Sequence, residues 1–456
     1  MILGGDPRTH MSRVAIIGAA CRLPGASNEG EFWRLLDEGR CAVGALPEGR
    51  WRAERYFHPR VSEPGFSYSF SGGYINDPLG FDPIVFGISP REAAEMDPQQ
   101  RLLLEVVWGA LEDCGLPPSA MAGANVGVYV GASSLDYGNL HTTDPAAIES
   151  HFMSGNTLSI LANRISYIFD LRGPSFTIDT ACSSSLVAFA GAQSAISSGR
   201  IDLAIVAGVN LLMSPTSFIG FSRASMLSPT GLCRPFSAEA DGYVRAEGAV
   251  AMVLARLETA VARHYPVRAV ALASGVNSDG RTNGISLPSV QGQRALLERL
   301  YGQGAIDTSR LAFVEAHGTG TRVGDPAEAT AIGEVLGRGR DTKLPIGSVK
   351  SNIGHLEPAS GLAGLYKAML ALEHRKRPAS LHLDTINPAI DFAALNLAVA
   401  TAPVMLPPTG TWLAGVSSFG FGSTNAHVVI RQPEALENAA ARANGESATV
   451  SGRSMS

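Results

Sequence analysis

The sequence contains no CxxC pair, and its five cysteines, at positions 21, 41, 114, 182 and 233, are odd in number and widely spaced. That pattern argues against a disulfide framework and a zinc site, and it fits a reducing, cytoplasmic compartment. No apolar stretch is long enough to span a bilayer. The run from Val14 to Ala20 is apolar but short, and Arg22 and Pro24 follow it, so it reads as a first strand and not as a signal peptide. Long basic runs are missing and the net charge is −5, which argues against nucleic acid as a partner. Gly18-Ala19-Ala20-Cys21-Arg22 leaves a GxGxxG pattern incomplete, which argues against a dinucleotide site. Low-complexity segments in the core and short internal repeats are absent as well.

What is present is a chain of 456 residues, 45% hydrophobic, enough for a large core and too much for one simple pair of layers, so two fused halves are expected. The pattern is α/β. Strands are predicted over 12–18, 126–131, 175–178, 203–208, 248–255, 267–273, 311–316, 344–349, 413–416 and 426–430. Helices are predicted over 28–38, 97–114, 156–169, 183–198, 325–336 and 358–374. In the second of these Asp97 caps, Pro98 takes the first helical position and Gln100 reaches back toward the cap. Residues 41–76, rich in aromatics, Pro and Gly, read as an irregular surface excursion. Residues 1–10 read as an extension before Met11. The stretch 433–456, rich in Ala, Asn, Glu, Ser and Gly, reads as a mobile tail.

The chemistry centres on Asp179-Thr180-Ala181-Cys182-Ser183-Ser184-Ser185-Leu186, which follows the short strand Ser175–Ile178. That strand reads as buried, and a small-residue helix follows. Cys182 thus stands at a strand-to-helix turn, where unpaired N–H groups and the helix dipole favour thiolate over thiol. For a single cysteine in a βα unit, a buried structural residue is the favoured reading. Two later motifs change the balance: His317-Gly318-Thr319-Gly320-Thr321 and Lys350-Ser351-Asn352-Ile353-Gly354-His355-Leu356-Glu357, each directly after a strand. A parallel sheet gathers such strand ends at one edge, where ligand crevices form. In Ser417-Ser418-Phe419-Gly420-Phe421-Gly422-Ser423-Thr424-Asn425, a Gly-rich turn can present a backbone N–H beside the nucleophile, completing an oxyanion hole with the N–H of Cys182.

Together these motifs closely resemble the β-ketoacyl synthase family, nearest to the ketosynthase domains of type I polyketide synthases, modular or iterative. The resemblance runs over 11–432. Phe86-Gly87-Ile88-Ser89-Pro90-Arg91-Glu92, Met96-Asp97-Pro98-Gln99-Gln100-Arg101, Arg234-Pro235-Phe236 and Asp241-Gly242-Tyr243 support it. It implies the thiolase-like fold, a five-layer αβαβα sandwich of two similar halves at about 11–265 and 266–432, with more than a single sheet. It implies that Cys182 accepts an acyl chain from a phosphopantetheine thioester. His317 and His355 would support decarboxylation of a malonyl-type extender, and Lys350 would organise the site with Glu357 or another carboxylate as its partner. Thr319 and Thr321 would contact the pantetheine arm, Phe419 would gate the acyl pocket, and Asp325 would support the His317 loop. The chain itself would bind no cofactor and no metal. Its partners would be an acyl carrier protein, a second copy in a homodimer, and other polyketide synthase domains.

Three further readings fit the residues less well. A thiolase needs a second catalytic cysteine near the C-terminus, and the last cysteine here is Cys233. A non-elongating acyl-transfer ketosynthase commonly lacks the second histidine, and His355 is present. A non-catalytic docking or chain-length partner has no need of Cys182. No acyltransferase, reductase or carrier sequence follows residue 432, so the expectation is a free-standing ketosynthase or a piece of a longer chain.

Overall fold

Local chemistry starts the helices where the sequence places them. The side chain of Asn28 accepts the N–H of Glu31 and opens α1 (Glu29–Asp37), whose Phe32, Leu35 and Leu36 are buried. Asp97 accepts the N–H of Gln99 and opens α2 (Pro98–Asp113), with Pro98 at the first position. Gln100 does not reach back to this cap. Its amide spans instead to Ser154 O and Gly155 O and takes the guanidinium N–H of Arg164, tying α2 to the helical segments at 152–168 beside it. The computed structural model describes residues 13–437 except 62, 143, 303–305 and 436. The expected extension at 1–10 and nearly all of the tail at 433–456 lie outside the described residues.

Eleven strands carry the architecture: β1 (Val14–Arg22), β2 (Val126–Gly131), β3 (Ser175–Ile178), β4 (Leu203–Asn210), β5 (Gly248–Arg256), β6 (Ala269–Ser278), β7 (Leu311–Glu315), β8 (Leu344–Gly347), β9 (Leu397–Val399), β10 (Leu413–Phe419) and β11 (Thr424–Arg431). Their hydrogen-bonded order is β9-β8-β7-β10-β11-β6-β1-β5-β4-β2-β3. Split between β6 and β1, this order contains the same pattern twice. In each half the chain-order strands lie as third, second, fourth, fifth, first, with β9 added at one edge. The second strand pairs parallel to the third and fourth in both halves, and the fourth–fifth and fifth–first pairs are antiparallel in both. The two halves are not separate ladders, as two independent sheets would be. Three residue pairs, Val14 with Ala271, Ala15 with Val270 and Ile16 with Ala269, join them into one continuous hydrogen-bonded order. The joint involves only the start of β1, so each half still presents its own face to the helices between them.

Five layers result. The helices α4 (Ser184–Ser197) and α7 (Ser360–Glu373) are nearly all apolar or small, so they suit burial on every side. They lie between the halves, in one core cluster with Val206, Val250 and Met252 of the first and Val416, Val428 and Ile430 of the second. Outside the first half lie α2 and α3 (Leu158–Ile168), against Ile17, Val128 and Val253. Outside the second lie α5 (Val290–Tyr301) and α6 (Gly324–Ile332), against Val314, Ile346 and Val429. Gly18 is required by this packing, since a Cβ there would stand 2.4 Å from the Ala110 carbonyl oxygen of α2. It sits within β1 and not at a turn after it.

Several expectations change. The excursion at 41–76 is not wholly superficial, because Tyr68 and Phe70 are buried in a small core with Leu212, Phe218, Leu227 and Tyr243. Strand β3 is not buried in this chain: it is the last strand of the sheet, and Phe176 is exposed. The helix expected over 156–169 is two, Phe152–Asn156 and α3. Helices α5 and Thr216–Arg223 do not stand out in the sequence pattern, since Gly, Pro and polar residues around them mask their periodicity.

Candidate active site

Each half sends its third strand into one of the two central helices. Strand β3 leads through Asp179–Ser183 into α4, and β8 leads through Lys350–Glu357 toward α7. The repeat therefore brings the cysteine loop and one histidine loop to the same place. The sheet adds the ends of β7 and β10, which carry His317 and the turn at 420–423.

At the first loop Ala181 takes the left-handed conformation (φ 55°), which lifts Cys182 out of the strand direction. Asp179 accepts the N–H of Ala181 (2.9 Å), and Ser184 N–H returns to Ala181 O (3.1 Å). The Cys182 carbonyl is held by the hydroxyls of Ser360 (3.2 Å), at the start of α7, and Ser418 (2.7 Å), near the end of β10. The backbone N–H groups of Phe421 and of Cys182 itself face the sulfur and favour its anion. Burial nevertheless outweighs them, and with Glu357 nearby it pushes the thiol up to about 12. The expected thiolate is thus corrected: the free site holds a thiol, because desolvating the anion costs more than helix end, Lys350 and N–H groups return.

His317 stands just past β7. Its own N–H and that of Gly318 donate to the Glu328 carboxylate (2.7 and 2.8 Å), and its carbonyl accepts Lys350 Nζ (2.6 Å). Glu328, buried on α6, escaped the sequence reading, although Asp325-Pro326-Ala327-Glu328 puts two carboxylates in a single helical turn beside the His317 loop. Burial raises Glu328 to about 7. Asp325 accepts N–H groups from Phe236 (2.6 Å) and Gly320 (3.1 Å), which ties the His317 loop to Arg234-Pro235-Phe236. Burial raises it to about 6.

His355 is fixed differently. Its Nδ1 accepts the N–H of Glu357 (3.1 Å), so in the neutral ring the proton resides on Nε2. That Nε2 is buried with no partner, as is Nδ1 of His317. The two rings are 5.3 Å apart. Both imidazoles lie well below their usual range, because of burial first and the Lys350 ammonium second, and so are neutral at physiological pH. Glu357 is not the partner of Lys350. It forms a forked ion pair with Arg245 (2.6 and 2.9 Å), and the carboxylates that favour the charged form of Lys350 are those of Glu315 at the end of β7 first and of Glu328 on α6 after it.

The structure brings Cys182, His317, His355, Thr319, Thr321 and Phe419 to one cavity of about 580 Å³. The hydroxyls of Thr319 and Thr321 are 3.1 Å apart on its wall. Phe419 is buried against the His317 ring (5.6 Å), whereas Phe421 is 47% exposed in the turn. Phe421, which sequence reading passed over because both phenylalanines stand in the same motif, is the more exposed of the two and meets the Phe221 ring edge-on at 6.0 Å. Lys350 and Asp325 lie behind the wall. Ligand atoms of Cys182, His317 and His355 lie within 4.8 Å of one another, a spacing that a metal ion can bridge. The chemistry opposes it: His355 offers an N–H and not a lone pair, and Lys350 adds positive charge. The set is built to donate hydrogen bonds beside a sulfur.

Three family models match the chain: the β-ketoacyl synthase N-terminal domain over residues 11–260, the corresponding C-terminal domain over 268–384, and the ketoacyl-synthetase C-terminal extension over 387–456. A phenolphthiocerol/phthiocerol polyketide synthase of Mycobacterium tuberculosis is 46% identical over 430 residues, 93% of this chain and 23% of that protein. Polyketide synthase GfsA of Streptomyces halstedii is 46% identical over 426 residues, 91% of this chain and 6% of that protein. The chain thus spans less than a quarter of these relatives. Among solved structures, the ketosynthase from module 6 of the bacillaene synthase of Bacillus subtilis 168 superposes with a TM-score of 0.86 at 38% identity, covering 92% of this chain and 72% of that one. The oxazolomycin ketosynthase domain OzmH KS7 of Streptomyces albus JA3453 gives 0.89 at 36% identity, with 93% and 74% covered.

Proposed function

The chain belongs to the β-ketoacyl synthase family of acyltransferase-type condensing enzymes, and on that premise we propose that Cys182, His317 and His355 carry out decarboxylative condensation in polyketide assembly. The observation that carries this reading is the unpartnered Nε2 of His355, kept as an N–H donor by the bond at Nδ1, in one cavity with the Cys182 sulfur and His317.

In loading, the Cys182 sulfur attacks the thioester carbonyl of an acyl group delivered on phosphopantetheine. The N–H groups of Cys182 and Phe421 take the developing oxyanion, the carbon–sulfur bond to pantetheine breaks, and the proton lost by Cys182 ends on the pantetheine sulfur. In condensation, a malonyl-type thioester loses its carboxylate as carbon dioxide, and the electron pair moves onto the thioester oxygen. The N–H donors of the two neutral imidazoles stabilise that enolate, whose carbon attacks the acyl group on Cys182 and releases the cysteine sulfur. Lys350 and Glu328 hold the His317 loop, Asp325 anchors it from below, Thr319 and Thr321 contact the pantetheine arm, and Phe421 with Phe419 behind it guards the acyl side.

Both substrates come on a separate acyl carrier protein or carrier domain, with no cofactor resident on this chain. The protein works as a homodimer beside other polyketide synthase domains, in the cytosol, where its five unpaired cysteines stay reduced. Among the described residues no helix is long and apolar enough to cross a membrane. The test is incubation with a panel of acyl thioesters and then with malonyl-carrier, followed by mass. A Cys182 adduct and a two-carbon-longer product are expected. The absence of any adduct at Cys182 would favour a non-catalytic docking partner instead.

A further inference from the structure

We infer that Arg245 and Glu357 form a positioning pair that fixes which nitrogen of His355 carries the proton and aims that nitrogen at the Cys182 cavity. The inference deepens the catalytic reading above and rests on it for the role of His355.

The geometry starts at the backbone. His355 N–H donates to Val244 O (2.7 Å) and Ala246 N–H donates to His355 O (2.8 Å), so residues 244–246 run alongside the histidine. The ring of Tyr243 meets the imidazole edge-on at 5.2 Å. Glu357 N–H reaches Nδ1, only two residues back, and Glu357 itself adopts the left-handed conformation (φ 48°). Few side-chain-bearing residues hold that conformation without outside support. Pro358, which follows, further disfavours the right-handed helical alternative.

The support comes from Arg245. Its guanidinium grips the Glu357 carboxylate with a fork, Nε to Oε1 at 2.6 Å and Nη2 to Oε2 at 2.9 Å. Arg245 is 2% exposed, and its guanidinium lies over the rings of Phe218 (4.8 Å) and Phe221 (5.4 Å), so it has no second place to go. Asn210 closes the unit, donating to Ala246 O at 2.8 Å. The side-chain pair therefore ties together the two backbone segments that the bridge at His355 already joins. A lysine cannot substitute fully, because it offers no planar fork.

The consequence is chemical. A neutral imidazole has two tautomers. With Nδ1 taken up as an acceptor, Nε2 presents an N–H toward the cavity. With the proton on Nδ1, Nε2 would present a lone pair to an enolate oxygen and repel it. Neither Arg245 nor Glu357 touches the substrate, yet together they determine whether His355 can donate.

The direct measurement is ¹⁵N NMR of histidine-labelled wild-type protein, with His355 assigned by its loss in His355→Ala. The neutral Nε2–H tautomer is expected; an Nδ1–H tautomer overturns the inference. Substituting either partner alone leaves the other charge buried and unpaired, which endangers the fold. The informative variant is therefore the double substitution Arg245→Met/Glu357→Leu, which puts apolar side chains beside Phe218 and Phe221. It should show a mixture of tautomers. Malonyl-carrier decarboxylation should lose about tenfold or more in kcat at nearly constant KM, with Cys182 loading within about threefold of wild type. Arg245→Lys should fall between the two. A folded double variant that keeps the Nε2–H tautomer and wild-type decarboxylation overturns the inference. If the double variant does not fold, the wild-type tautomer and the kinetics of Arg245→Lys decide. Failure of wild-type Cys182 to acylate would sink the catalytic reading while leaving the tautomer measurement intact, so the two failures are distinguishable.

Discussion

Cys182 keeps its proton at neutral pH because burial penalises the anion more than its local N–H groups relieve it. The sign follows: a raised thiol pKa means that the thiolate fraction climbs about tenfold per pH unit and does not level off near the ordinary value of about 8.5. Iodoacetamide labelling of the Cys182 peptide, followed by mass from pH 6 to 10, should rise throughout. A plateau below pH 9 would show a free thiolate. The histidines, lowered by burial, should add no acid limb above pH 6. His355→Ala removes a donor that matters only after loading, so condensation should fall by on the order of 10²–10³ while Cys182 still acylates. Condensation at wild-type rate would make His355 structural. In Cys182→Ala, loading should vanish and decarboxylation persist in part. In Cys182→Gln decarboxylation should rise, the amide standing in for the loaded acyl carbonyl. Acetyl-carrier formation, read by mass, separates these outcomes, and any longer product from Cys182→Ala would mean that the chain is not loaded on Cys182.

At the scale of elements, the site depends on a loop from one half meeting a turn from the other. Gly420 lies where they touch: a Cβ there would stand 2.3 Å from Thr180 O and 3.1 Å from Ser183 Oγ. The first is backbone and cannot swing away. Gly420→Ala should therefore cost about 1–3 kcal/mol of stability. It should also move the Phe421 N–H off the oxyanion, slowing loading by on the order of 10²-fold. Thermal melting and single-turnover acylation measure both, and a variant that melts and loads like wild type would mean that the turn is slack. The turn itself was legible as a run of Gly in Ser417–Asn425. That it meets Cys182 was not, because residues 182 and 421 come together only when β10 and the β3–α4 loop converge from different halves.

For the whole molecule, the sheet ends in β3, with Phe176 exposed on its last strand. An unpaired apolar edge is a template for a second chain. Light scattering at micromolar concentration should give twice the chain mass, and Phe176→Lys should shift it toward one. A wild-type monomer would contradict the homodimer. The same pairing would bury the edge that β3 leaves open in one copy, and so reconcile an apolar strand with an exposed position.

The sequence by itself determined the candidate reaction-bearing groups and most of the elements. Cys182, His317, Lys350 and His355 follow apolar strands directly, and caps such as Asn28 and Asp97 act through neighbours a few residues away. Local chemistry of that kind is encoded within a short window. Only the tertiary structure decided the partnerships. Glu357 pairs with Arg245, 112 residues distant, and not with Lys350, while Glu328 takes the place beside the His317 loop. The protonation of Cys182 likewise depends on burial, which is a sum over residues from both halves, and no window around position 182 contains them. Phe419 and Phe421 stand two residues apart in one motif. Which of them faces the cavity mouth depends on where β10 stops and the turn begins, and the packing of the halves sets that boundary.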